Sequence, residues 1–455
     1  MKLVLGFAAP LLFGVLFQQF YSFVDTAIVG QFLGADKLAA VGATGSINFL
    51  VIGLCLGFCS GFGIPIAQAF GANDIPRLHR CVYHAVVLSA AFSALFAVLS
   101  VALCRPMLEL MDTPPEVIDA SASYISIIFA AIPCCVLYNM ASAILRSLGD
   151  SKTPVVFLVV ASLINIALDL FLILVWKLGV AGAAVATAVS QLVSGAGCVI
   201  VMIRRYPILR MRREERVLSL SQAKDMLLIG LPMGLQYSIT AIGSVVVQRA
   251  VNGLGVNAVA AVSAAAKISA FFCCVFDALA STMATYAGQN IGARKLHRVD
   301  EGLKDASIIG SIYCVLAFIA VALFSRPMLR MFIDSGASPE VTEMGAEYLM
   351  INAAFYIPLL FVNIVRLSIQ GMGFTRPAMF AGLFEMVART AVALALVPRM
   401  GFTGACLANP AAWIMADLFL FPCYRYVTRT LRGRLMPDTP EYTADEPQAQ
   451  EHRAA

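Results

Sequence analysis

The sequence predicts an all-α integral membrane protein, with twelve transmembrane helices in two parallel-repeat six-helix lobes around a central cavity. Three observations predict it. The 455 residues are 60% hydrophobic and only 13% charged, about half the charge density of a soluble domain. Apolar runs approaching or exceeding the about 20 residues needed to cross a bilayer occur twelve times. The last six runs repeat the first six in order.

Bounded by charges or turn residues, the runs are 8–33, 41–69, 81–103, 120–145, 155–176, 180–203, 226–252, 258–289, 303–324, 343–369, 377–397 and 403–427. The first, PLLFGVLFQQFYSFVDTAIVGQFLG, holds Pro10 and Asp25. Met1 to Ala9 leads straight into it, so this run is expected to be its own insertion signal. The second carries Gly53, Gly57, Gly61 and Gly63, read as places where helices approach closely rather than as ligand contacts. Pro65, Pro133, Pro232, Pro358 and Pro410 lie inside or at the edge of later runs, where a missing backbone donor favours a kink.

Short connections segregate by charge. Arg77 and Arg80, then Arg204, Arg205, Arg210, Arg212, Arg213 and Arg216, then Arg294, Lys295 and Arg298 fall on one side. The basic tail residues Arg425, Arg429, Arg432 and Arg434 join them. Glu109, Asp112, Glu116 and Asp119, and later Asp334, Glu340, Glu343 and Glu347, fall on the other. Basic short loops mark the cytoplasmic face, so both termini are expected there. The net charge of +5 reflects this bias and implies no nucleic-acid partner.

The duplication is ordered. LGADKLAAVGATGSI at 33–47 returns as LGVNAVAAVSAAAKI at 254–268, and RPML recurs at 105–108 and 326–329, both at an offset of 221. Gln68 and Gly71 correspond to Gln289 and Gly292, and the PEV…Tyr pattern at Pro115–Tyr124 to Pro339–Tyr348. Shared low-complexity composition does not produce an ordered offset. Six runs per copy give both copies one orientation, related by an axis along the membrane normal. The chain thus divides into an N-terminal lobe at 1–203, a basic cytoplasmic linker at 204–225, a C-terminal lobe at 226–427 and a tail at 428–455. The tail is polar from about Pro437 and is expected to be disordered. One chain carries both lobes, so a monomer is expected to suffice.

Polar residues inside the runs are few. Asp25 shares a helix face with Tyr21, and Asn165 and Asp169 stand at i and i+4 in SLINIALDLFLILV. Thr187 lies in the next run. Two carboxylates, an amide and a hydroxyl form an all-oxygen set that suits a hard cation such as Na⁺, and equally a transferable proton. The alternative is structural, with each Asp bonded to backbone or hydroxyl groups at a kink. Intramembrane carboxylates are costly, which favours function. In the second copy, Val247 stands near the counterpart of Asp25. Glu385 and Arg389, at i and i+4, are expected to pair structurally, Arg249 and Lys267 to snorkel, and Asp277 has no partner nearby in sequence. Phe17, Phe20, Met140, Met233, Tyr237 and Phe355 are candidate cavity walls, adaptable surfaces of the type that suit varied cargo. The twelve cysteines show no zinc or redox spacing, and no cofactor is expected.

QQFYSFVDTAIVGQFLGADKLAAVGATGSI, AQAFGAND, ILRSLGDSKTP and NIALDLFLI, in this order, resemble the multidrug and toxic compound extrusion (MATE) transporters, most of all their DinF-like bacterial branch. The resemblance covers roughly residues 5–430. It implies a multi-pass antiporter of the bacterial inner membrane that exports organic, often cationic or amphipathic, compounds against Na⁺ or H⁺. It implies that Asp25, Asn165, Asp169 and Thr187 form the coupling site, that Tyr21 and Asn139 line the substrate cavity, and that Pro10 is a hinge. Another branch places carboxylates in its seventh and tenth helices, where QYSITAIG and FVNIVRLS here have none. The small organic substrate, the coupling ion and the membrane lipid are then the partners. Two other readings stay open: a lipid-linked precursor flippase of the same superfamily, suggested by Arg249, Lys267 and Arg366, and an intramembrane enzyme. The enzyme would need a nucleophile with a base, whereas His84 stands alone and Cys134–Cys135 has no nearby base.

Overall fold

A computed structural model describes residues 1–34, 37, 40–42, 44–111, 113, 115–332 and 339–435. Among the described residues ten helices are long and apolar enough to cross a membrane, and the number is twelve with each of two bent pairs taken as one span. In chain order they are α1 (Lys2–Leu33), α2 (Gly45–Gly71), α3 (Ile75–Leu110), α4a (Pro115–Ala130) with α4b (Ile132–Ser147), α5 (Lys152–Leu170) and α6 (Val180–Arg205). The second six are α7 (Leu220–Asn252), α8 (Val256–Gly292), α9 (Leu296–Arg330), α10a (Pro339–Ala354) with α10b (Tyr356–Gly371), α11 (Thr375–Ala395) and α12 (Ala408–Leu435). Each overlaps one apolar run of the sequence. The last helix continues to Leu435, past the expected tail boundary at 427, because Arg429, Arg432 and Arg434 leave the apolar face unbroken and suit a helix C-terminus. The remaining tail lies outside the described residues.

The repeat is visible in the backbone. Of the nine positive-φ residues among those described, eight occur as pairs in the two copies: Gly34 with Gly255, Asn73 with Arg294, Gly149 with Gly373, and Gly179 with Gly401; Lys177 is unmatched. α4a and α4b meet at 44°, and α10a and α10b at 52°. A small apolar cluster of Ile28, Val29, Ile173 and Ala183 in the first lobe has its counterpart in Val251, Ala258, Val397 and Ala405, with Val247 against it, in the second. At the offset that pairs Gly34 with Gly255, Asp25 falls at Val246, next to Val247.

The lobes meet where α2 crosses α7 and α8, and where α1 lies on α8. Small residues permit it. A Cβ added at Gly57 would stand 2.5 Å from the Met233 carbonyl oxygen, and one at Gly61 2.6 Å from the Gly230 Cα. At the end carrying the basic loops, a Cβ on Gly71 would overlap the Gln289 carbonyl, and one on Gly292 the Gln68 carbonyl. There the two glutamines reach across reciprocally. Gln68 Nε2 donates to the Gly371 carbonyl at 3.1 Å and Gln289 Nε2 to the Ser147 carbonyl at 2.9 Å. The pair forms a two-fold latch that closes this end.

The linker is pinned to the first lobe. His79 places Nε2 2.7 Å from the Ile208 carbonyl oxygen and Nδ1 3.0 Å from Glu215 Oε2. His84, which the sequence leaves without a partner, accepts from the Ser219 backbone N–H at 3.0 Å. Tyr206 donates to Asp150 at 2.7 Å, and Asp150 also accepts from the Lys152 and Thr153 backbone N–H groups at the start of α5. Partial burial pushes the Asp150 carboxyl up, but these hydrogen bonds outweigh it and hold the group below its usual range.

Candidate functional site

α1, α5 and α6 bring the first-lobe polar residues together. Asp25, Tyr21 and Thr187 line one cavity with Tyr124, Asn48 and Gln191. Asp25 and Asp169 interact electrostatically with each other and with Tyr21. Asn165 Nδ2 donates to Thr187 Oγ1 at 3.4 Å, and Thr187 donates to the Ala183 carbonyl at 3.1 Å. Asn165 and Asp169 are fully buried, each at 0% exposure. The local chain explains the clustering: the i, i+4 spacing sets Asn165 and Asp169 on one face of α5, and α5 ends directly afterwards in a π-turn at Phe171–Val175. Such turns often mark functional sites.

Asn165 and Thr187 spend donors on each other and on the Ala183 carbonyl, while several acceptors around them stay unpaired. Asp25 Oδ1, Asn165 Oδ1 and both oxygens of Asp169 are buried without a hydrogen-bond donor, as are Asn48 Oδ1 and Gln191 Oε1 beside them. Buried polar atoms normally find partners, and ionised carboxylates only accept. A set of oxygens with no donor fits a cation: a proton shared by the two carboxyls, or Na⁺ held by carboxylate, amide and hydroxyl oxygens. Among the described residues no three His, Cys, Asp or Glu side chains form a metal-binding group.

The second lobe pairs its buried Glu385 with two arginines. Arg366 Nη1 stands 2.7 Å from Glu385 Oε1, and Arg389 Nη2 3.5 Å from Glu385 Oε2. The expected Glu385–Arg389 pair is therefore only half the arrangement. The shorter contact comes from α10b, 19 residues away in sequence, and packing of separate helices decides it. Asp417 and Asp277 both lie within electrostatic reach of Arg366, giving two cations and three anions. The first-lobe carboxylates have no arginine or lysine among their partners.

Between the lobes, above the latch, a cavity of about 90 Å³ is lined by Ser60, Arg146, Met233, Gln236, Tyr237 and Gln370, among others. Gln370 donates to Gln236 at 2.6 Å. Asp277 sits beside Tyr237, one turn along α8 from the lining Ser281. Met233 and Tyr237 thus fulfil the expectation of cavity walls. Met140 instead faces an outer groove, and Phe355 packs on the second-lobe core. Asn139 donates to the Cys135 carbonyl one turn earlier at 2.8 Å and is absent from the walls of both cavities. Pro10 lies inside the continuous α1. Arg249 and Lys267 are exposed and absent from the central cavity walls. Asn48, Tyr124, Gln191 and Arg146 are additions that the sequence did not single out. Gln191, four residues after Thr187, carried the spacing signal that could have found it.

A family profile for MatE matches residues 10–171 and 232–394, one stretch in each copy. The chain is 28% identical over 435 residues, 92% of each chain, to a probable multidrug resistance protein, YoeA, of Bacillus subtilis. It is 24% identical over 362 residues, 79% of each chain, to a FAD transporter of Shewanella oneidensis. Its fold is similar to a solved outward-facing multidrug resistance MATE family transporter of the MOP superfamily. The TM-score is 0.88 at 22% identity, covering 95% of this chain and 96% of that one.

Proposed function

The chain belongs to the MatE family of transporters, and from that premise we propose that it is a secondary-active antiporter. It exports small organic, cationic or amphipathic compounds through the central cavity, driven by H⁺ or Na⁺ at Asp25, Asn165, Asp169 and Thr187. The observation that carries this reading is the contrast between the lobes. Arg366 and Arg389 face Glu385 in the second, whereas Asp25 and Asp169 in the first have acceptors left over and no basic partner. A net negative, buried oxygen cluster is stable only with a cation, so ion occupancy and lobe conformation are linked. One elementary charge moving through the full potential contributes about 2.3 kcal/mol per 100 mV, enough for a gradient of tenfold or more in cargo.

In this mechanism the ion enters while the basic-loop end is latched. Neutralising Asp25 and Asp169 removes the repulsion between them, α1 repacks about Pro10, and the altered first lobe releases cargo. Opening of the latch then lets the lobes rock, the ion leave and new cargo enter. Asp277 and Tyr237 supply a carboxylate and an aromatic face to a cationic cargo, and Tyr21 and Asn139 are assigned to the first-lobe side of its path. The description of YoeA as a multidrug resistance protein supports organic cargo. We assign the protein as a monomer to the bacterial inner membrane, basic loops and both termini cytoplasmic, with lobes at 1–203 and 226–427 joined by the 204–225 linker. The test is Asp25→Asn in proteoliposomes with an imposed pH or sodium gradient. Gradient-driven dye export should fall to the uncoupled background; export at the wild-type rate from correctly inserted protein refutes the mechanism. In Asn165→Ala, selective loss of sodium stimulation assigns Na⁺, and unchanged coupling assigns H⁺.

A further inference from the structure

We propose that the first lobe carries a binding site for an anionic phospholipid on its outer flank, separate from both transport cavities. Two adjoining clefts define it. The first opens at the basic-loop end, where Tyr83, Tyr206, Arg210 and Arg216 form its mouth. The second is an apolar groove of about 520 Å³ between α3, α4b and α6, lined by Ala90, Pro133, Leu137, Ala141 and Leu192. Val86 and Met202 line both clefts, so they are continuous. The surface passes from cationic and aromatic at the helix ends to apolar along the spans. That sequence matches a phospholipid: phosphate among arginines, glycerol at the tyrosine level and an acyl chain in the groove.

The charges are available. Glu215 is engaged by His79 at 3.0 Å and by the Arg212 backbone N–H at 2.7 Å. Among the described residues neither Arg210 nor Arg216 has a carboxylate within ion-pair distance. Arg216 makes one long contact to the Met211 carbonyl, 3.4 Å. The linker that carries both arginines is fixed by Tyr206 on Asp150 and by His79 and His84. The mouth is thus held at the depth where a headgroup lies, which favours a lipid over a soluble anion.

The experiment is lipid retention by the intact protein. Delipidated protein is titrated with phosphatidylglycerol or phosphatidylcholine, bound lipid is read by native mass spectrometry, and a spin-labelled acyl chain reports immobilisation. The expected result is a saturable phosphatidylglycerol site, weakened about thirtyfold by Arg210→Gln with Arg216→Gln. Ala90→Trp, which fills the groove from an exposed position, should abolish chain immobilisation. Arg212→Gln with Arg213→Gln removes the same charge beside the mouth and should change binding little. Equal loss in that control overturns the proposal in favour of diffuse electrostatics. Equal retention of phosphatidylcholine, unaffected by the arginine variants, also overturns it. Ala90→Trp supplies an independent test should the linker variants disturb the linker.

Discussion

Replacing both Gln68 and Gln289 with alanine should unlatch the basic-loop end. In the structure each amide donates across the lobe interface, to Gly371 at 3.1 Å and Ser147 at 2.9 Å. A typical net hydrogen bond is worth about 1 kcal/mol, and a buried carbonyl left without its donor raises the cost toward 1–3 kcal/mol. The two latch bonds join different helix pairs, α2 to α10b and α8 to α4b, and losing both is worth about 2–3 kcal/mol against the closed state. That is a shift of about 30- to 140-fold in the equilibrium between closed and open forms. Each single variant should show about the square root of this factor. Distances between nitroxides at positions 77 and 298, both exposed at the first turns of α3 and α9, measure the two populations by pulsed electron resonance. An unchanged distance distribution in the double variant refutes the latch. The glycine crossings alone would then hold the end closed.

Further expectations follow from the charge networks. Glu385→Gln removes the carboxylate that Arg366 and Arg389 both contact and should cost about 3–5 kcal/mol, read as a fall in the melting temperature of the solubilised protein. Replacing all three with apolar residues of similar volume should recover most of the loss, whereas a catalytic or coupling role would leave transport lost even in stable protein. Asp150→Ala removes the acceptor at the start of α5 and should cost about 1 kcal/mol. Because the folded Asp150 is held below its ordinary value, its contribution is present above the unfolded value and is lost as pH falls through the folded one. The difference between wild type and variant should therefore shrink in acid, and a difference that grows there would contradict the assignment.

Asp25 was an isolated charge in an apolar stretch, and the sequence alone supplied its cost. Asn165 and Asp169 declared a shared face through their spacing, because both lie on one helix. The first-lobe site was legible to that extent. Asn48 and Tyr124 were not, because they come from α2 and α4a and have no spacing relation to α1 or α5. The same limit hid Arg366 as the nearer partner of Glu385: the visible i, i+4 partner lies on α11, while the shorter contact crosses from α10b.

What the sequence by itself determined is the set of elements and their duplication. Apolar run lengths answer to bilayer thickness, and an ordered offset survives as paired left-handed turns and paired bends, since both depend on local backbone geometry. Only the tertiary structure decided which polar groups meet. Gln68 and Gln289 were visible as matching letters, but their reciprocal grip depends on α2 and α8 crossing where Gly71 and Gly292 carry no Cβ. In the same way, the orphaned oxygens around Asp25 follow from where the donors of Asn165 and Thr187 are committed. Such pairings are long-range, and hydrogen-bond accounting closes only once every neighbour is in place.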